Sequence, residues 1–148
     1  MAQYDVYLAG AMTGRKVSEV LKERYVAHGL LRKAGLTFYC PAADEELEGF
    51  KPGHIISTAY NKEKMDWYVK KDLAAVAASR AVLNLNGDRM SDGAAWEMAF
   101  AVYHRQIPVF IVAPERSIGL KMGFTNILVD GIFANVEDAV KALKKELR

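Results

Sequence analysis

Apolar runs alternate with helix-period stretches along the whole chain. Asp5–Ala9 (DVYLA) is a short apolar run that stops at Gly10, which predicts a buried strand. From Val17 to Ala34 the residues Val17, Leu21, Tyr25 and Leu31 fall near one helical face, and Gly35 suits the position just past a helix end. Leu36–Cys40 (LTFYC) predicts a second strand, closed by Pro41. Ala42–Tyr60, with its acidic residues, two glycines and Pro52, reads as a long loop; in compact domains such loops often act as lids over sites. Asn61–Ala78 predicts a helix that buries Met65, Val69, Leu73 and Val76. Ala81–Leu85 (AVLNL) is a third strand running into Asn86-Gly87, and a helix from near Asp92 to Arg105 follows. Pro108–Ala113 (PVFIVA) is a fourth strand and Ile127–Val129 a candidate fifth. Asn135 caps a last helix through Leu147, with Asp138 well placed in its first turn.

Strands that are apolar on both faces and alternate with helices imply a parallel sheet covered on both sides. The expected fold is therefore α/β: one doubly wound, three-layer α/β/α domain over residues 1–148. Composition agrees, since 51% apolar and 26% charged residues in 148 are enough for one buried core. Twenty basic against 18 acidic residues leave a net charge of +2, which argues against a nucleic-acid polymer as partner. A single cysteine, Cys40, allows no disulfide within the chain, so a reducing, cytoplasmic setting is expected. Asp5 interrupts the first apolar run and no basic leader precedes it, so neither a signal peptide nor an anchor is read there. No uncharged apolar stretch approaches the roughly 18 residues of a membrane span, and no membrane partner is expected.

In doubly wound sheets ligands lie outside the carboxyl ends of the strands, where the strand order reverses. That rule selects two loops. The first, Gly10-Ala11-Met12-Thr13-Gly14-Arg15, offers backbone N–H groups and an arginine to an anion. It equally reads as a glycine-rich turn that tightens a strand-to-helix connection. The second runs from Asn86 to Gly93, and Ser91, Asp92 and Gly93 stand at a predicted helix N-terminus, a place that favours phosphate. Glu97 lies one turn further on, with apolar Ala94, Ala95, Trp96, Met98, Ala99 and Phe100 around it. Such a carboxylate is partnered or functional if buried, and unremarkable if it faces solvent. A second carboxylate, Asp72, closes the preceding helix; it is either a partner for Glu97 in glycosyl chemistry or a surface residue pairing with Lys70 or Lys71. His28, His54 and His104 are scattered and predict no metal site, while Cys40, Trp67, Tyr68 and Trp96 read as packing residues. No GxSxG, CxxC or HExxH pattern is present.

Taken in order, VYLAGAMTGR (6–15), DLAAVAASRAVLNLNG (72–87) and SDGAAWEMAFA (91–101) resemble the nucleoside 2-deoxyribosyltransferase family, which includes nucleoside 5′-monophosphate N-glycosidases. The resemblance runs from residue 4 to about residue 114 and implies a flavodoxin-like fold and cleavage of an N-glycosidic bond without metal or organic cofactor. It implies that Glu97 is the nucleophile, that Tyr7 holds it, and that Asp72 protonates the departing base. Gly10, Met12, Gly14 and Arg15, with Ser91, Asp92 and Gly93, would then surround the sugar and its 5′ end. Six residues before the glutamate, transferases of free nucleosides tend to carry an acidic residue, and monophosphate hydrolases a serine. This chain has Ser91, with Arg15 as a second phosphate ligand. It departs from the family at Arg80, where members often have Asp. The resemblance also implies a homodimer or higher homo-oligomer, since a neighbouring subunit completes the site in the transferases. The expected activity is hydrolysis of a (2′-deoxy)ribonucleoside 5′-monophosphate to free base and sugar phosphate. The alternatives are base exchange on free deoxynucleosides and, in another class, a nucleotide-binding sensor without turnover.

Overall fold

Val6 and Leu8 point to one face of the first strand and Tyr7 and Ala9 to the other, and all four are buried. A strand sealed on both faces needs a layer of helices on each side, and this is what forms. The computed structural model describes residues 2–44, 51–56, 62–89, 91–114 and 129–148, with the backbone alone at 43–44 and 62–65. Among them are strands β1 (Tyr4–Ala9), β2 (Phe38–Tyr39), β3 (Ser79–Asn84), β4 (Val109–Val112) and β5 (Gly131–Phe133). The helices are α1 (Val17–Lys33), α2 (Pro41–Asp44), α3 (Lys62–Ala77), α4 (Asp92–Ala99) and α5 (Val136–Glu146). All strand pairs are parallel, in the order β2-β1-β3-β4-β5. This is the flavodoxin-like arrangement, and the order reverses between β1 and β3. Val6 stands opposite Phe38 on one side and Ala81 on the other.

The alternation of the strands divides the core in two. Val6, Leu8, Ala81, Leu83, Phe110 and Val112 pack with α1 and α5 through Val17, Val20, Leu31, Val140 and Leu143. Tyr7, Ala9, Val82, Val109 and Ile111 pack with α3 and α4 through Val76, Ala94 and Met98. Helix α1 ends as Gly35 predicts: that residue has φ +76°, Leu36 N–H donates to Leu31 O and Gly35 N–H to Arg32 O, each at 3.0 Å. Helix α5 is capped by Asn135, whose side chain accepts from Asp138 N–H at 2.8 Å.

Several expectations change. The buried stripe of α1 is Val17, Val20, Arg24, Ala27, His28 and Leu31; Tyr25 is exposed. In α3 the buried positions are Ala75 and Val76, while Val69 is exposed and Leu73 half-buried; Met65 has no described side chain. Trp96, at 75% exposure, and Trp67 are not packing residues. The stretch read as a loop from Ala42 begins inside α2, and Lys16 and Ile55 form an antiparallel bridge further along it; residues 45–50 and 57–61 lie outside the described residues. The helix expected through Arg105 changes to a π-helical turn at Phe100–Arg105, ended by left-handed Gln106 at φ 54°. Among the described residues a fifth strand stands at Gly131–Phe133; of the candidate Ile127–Val129, residues 127 and 128 lie outside the described residues. Among the described residues no helix is long and apolar enough to cross a membrane.

Candidate active site

The reversal between β1 and β3 opens a crevice at the strands' carboxyl ends, and a small pocket lies there. Leu8, Ala9 and Gly10 from the end of β1, Met12 from the following loop and Pro41 from the start of α2 line it. Arg24 of α1, Asp72 of α3 and Glu97 of α4 supply its charges. Five elements thus meet at the pocket, and two of them, α3 and α4, bring together carboxyl groups more than twenty residues apart in sequence.

The carboxyl end of Glu97 is sealed although the residue as a whole is partly exposed: Oε2 is out of solvent's reach, as is Oδ1 of Asp72. Burial pushes the Glu97 carboxyl up to about 8, and the charge of Asp72 adds to the rise. The Tyr7 hydroxyl, which donates to Glu97, and the Arg24 charge oppose it. Tyr7 is wholly buried, and its ring stacks on Tyr39 with centroids 5.8 Å apart and planes 12° from parallel. That stacking fixes where its hydroxyl points. A carboxyl raised this far by burial and by a second carboxyl in the same crevice is a common mark of a catalytic site.

Helix α4 brings Glu97 to the pocket from its first turns. Ser91 is its N-cap and accepts from Ala94 N–H at 3.2 Å. The Ser91 hydroxyl proton is not used in that bond, so the group can still donate. Gly93 lies directly over the acid: a Cβ there would sit 3.6 Å from Glu97 Oε1. Ser91, Asp92 and Gly93 do not line the pocket itself, and Asp92 is exposed.

Of the first loop, Gly10 and Met12 reach the pocket, whereas Gly14 and Arg15 do not. Gly10 has φ +155°, and a Cβ on it would collide with Asn86 Oδ1 and come within 2.8 Å of Arg24 Nη2. The Arg15 guanidinium donates to both oxygens of Glu23 (3.2 and 3.0 Å), to Ala11 O (2.8 Å) and to Asn86 Oδ1 (3.3 Å). It ties the loop to α1 and β3, and it would have to release Glu23 to serve a ligand. The amide groups at the start of α1 are taken as well: Gly14, Val17 and Ser18 donate to the carbonyls of Ile56, His54 and Pro52. This side of the crevice is knitted shut.

Arg24 was not foreseen. An arginine in a helix normally reads as solvated, yet this one is 1% exposed. A signal existed, because Val17, Val20, Arg24, Ala27 and Leu31 follow a heptad seam that Arg24 alone interrupts. Among the described residues no cluster of three or more His, Cys, Asp or Glu could hold a metal ion. Residues 115–126 lie outside the described residues.

Among solved structures the chain is similar to a 2-deoxyribosyltransferase from Bacillus psychrosaccharolyticus, with TM-score 0.63 and 21% identity over 94% of this chain and 95% of that one. The chain has the fold of a 2-deoxyribosyltransferase. A conserved protein from Enterococcus faecalis is similar too, with TM-score 0.61 and 15% identity over 98% of this chain and 99% of that one. No protein-family model matches the sequence, and no curated protein matches it significantly.

Proposed function

We propose that this protein cleaves the N-glycosidic bond of a (2′-deoxy)ribonucleoside 5′-monophosphate through a covalent glycosyl–Glu97 ester. The observation that carries this reading is the Glu97 carboxyl, buried beside Asp72 and held by the Tyr7 hydroxyl at the mouth of the sheet. Ionised Glu97 attacks the anomeric carbon as the bond to the base breaks, and the bonding pair leaves with the base nitrogen. Asp72 gives the departing base a proton. Water then attacks the ester, Asp72 takes the water's proton, and sugar phosphate leaves with Glu97 regenerated.

The monophosphate preference is supported by Ser91, whose hydroxyl can donate to a phosphate at the N-terminus of α4 where a carboxylate would repel one. A second reading, base exchange between free deoxynucleosides, is favoured by the likeness to the Bacillus 2-deoxyribosyltransferase. A binding module without turnover has no use for a carboxyl held near neutral pKa beside a second one.

The test is to incubate the protein with a panel of nucleosides and nucleoside monophosphates and to measure released base. Release from monophosphates, abolished in Glu97→Ala, is the expected result; no release, or equal release by the variant, refutes the catalytic reading. Adding a second base to the same mixture separates hydrolysis from transfer.

A further inference from the structure

Arg24 is the one charged group of the pocket to which the proposed chemistry gives no task. Its guanidinium is buried, lines the pocket beside Asp72 and Glu97, and donates through Nη1 to Ala9 O at 2.9 Å. Its Nε is also buried and meets no acceptor among the described residues. The nearby carboxylate of Glu23 is held by Arg15 instead. A guanidinium has five donors and no acceptor, and it stays charged in any protein environment. Burying one with a donor unmet is costly unless something else brings the acceptor. The pocket is where that acceptor can enter.

We propose that Arg24 reads the leaving base, and that the base it fits is a 6-oxopurine. This rests on the glycosidic reading of the site given above. The walls beside Arg24 are apolar Leu8 and Pro41, and the other charged groups lining the pocket are carboxyl groups. A phosphate dianion placed there would face Asp72 and Glu97, whereas a neutral carbonyl edge would not. On the outer edge of a 6-oxopurine, O6 and N7 are adjacent acceptors. Arg24 takes O6, and N7 receives the proton from Asp72. As the bond from the anomeric carbon to N9 breaks, the electron pair left on N9 spreads into the ring towards N7 and O6. The guanidinium lies against that growing charge. A 6-aminopurine turns N–H donors towards Arg24 at the same place, so donor would meet donor.

The experiment compares kcat/KM for hypoxanthine and adenine monophosphates in wild type, Arg24→Lys and Arg24→Met. Wild type should favour the oxopurine by about 10- to 100-fold, the range of one good paired contact to a base edge. Arg24→Met should lose most of that ratio by slowing the oxopurine alone, and Arg24→Lys, which keeps a charged donor, should restore part of it. Equal rates in wild type, or an unchanged ratio in Arg24→Met, would overturn the proposal. Binding of free hypoxanthine and free adenine to wild type by calorimetry supplies an arm that needs neither a folded variant nor turnover. Hypoxanthine should bind more tightly; adenine binding as well or better refutes the assignment, as does inorganic phosphate displacing hypoxanthine. If no monophosphate is cleaved at all, the glycosidic reading fails, while the free-base comparison still decides the role of Arg24.

Discussion

Glu97 holds its proton to about pH 8, whereas an unfolded glutamate gives it up near pH 4.5. Between those values the folded chain binds more protons than the unfolded one, so this residue's contribution to stability falls as pH rises from about 4.5 to 8. Glu97→Gln removes that penalty. The variant should be more stable than wild type by on the order of 1–3 kcal/mol above pH 8, with little difference below about pH 4.5, in denaturant titrations at several pH values. The same proton shapes the proposed activity. The proposed nucleophile is ionised Glu97, so kcat/KM should rise as pH climbs towards about 8 and this carboxyl gives up its proton; a profile flat from about pH 5 to 8 would count against the assignment. Glu97 was legible in the sequence as a lone carboxylate in an apolar segment, whereas Tyr7 was pointed to by the resemblance alone and Asp72, with two lysines before it, read equally well as a surface residue. Arg24 breaks the α1 seam in the same way, but a long basic side chain is so often able to reach water that the seam was drawn through Leu21 and Tyr25 instead. Glu23 hid the task of Arg15, since a pair eight residues apart is not a neighbour on a helix and forms only because the loop folds back.

Helix α4 serves as both capped helix and wall of the site. Ser91→Ala removes the side chain that accepts from Ala94 N–H and should cost about 1 kcal/mol in thermal or denaturant unfolding. Ser91→Asp retains a good cap, so stability should stay within about 0.5 kcal/mol. It should nevertheless move turnover from monophosphates towards free nucleosides; unchanged selectivity would count against the phosphate reading. Gly93→Ala gains helix propensity, about 0.5–1 kcal/mol, and its new methyl group would stand 3.6 Å from Glu97 Oε1 without collision. The protein should therefore become more stable while kcat/KM falls, since the approach to the carboxyl narrows. Helices with long periodic patterns were legible to within a few residues, as α1 and α5 show, and β3 and β4 were legible as apolar runs. Short elements without such a run were not. Three residues of β5 and four of α2 carry too few positions to display a period, and they form through the packing of Phe133 and Ala42 on neighbours far away in sequence.

Over the whole molecule, what periodicity cannot reveal is the order of strands. It follows from the crossovers, and it alone makes the ends of β1 and β3 the site. The opposite end of the sheet is clamped by Asp5, which accepts from Thr37 N–H at 2.8 Å and from Arg80 at 3.0 Å, while Arg80 also donates to Leu147 O at 2.6 Å. Burial alone would raise the Asp5 carboxyl, but the Thr37 and Arg80 contacts outweigh it and hold it below the ordinary value of 3.8. Its stabilising effect is thus complete above about pH 4 and lost as pH falls below that. Asp5→Asn should destabilise the fold by about 1–2 kcal/mol at pH 7, and the deficit should shrink in acid. Arg80, a departure from the resembled family, is accounted for by this clamp.

Among the described residues the sheet's two outermost strands are also its shortest, two residues in β2 and three in β5. A rim so brief presents very few open peptide groups to another chain's strand, so the molecule carries little template for edge-to-edge fibre growth. Long-term storage at high concentration should therefore yield no thioflavin-positive material, and any self-association should proceed through side-chain surfaces.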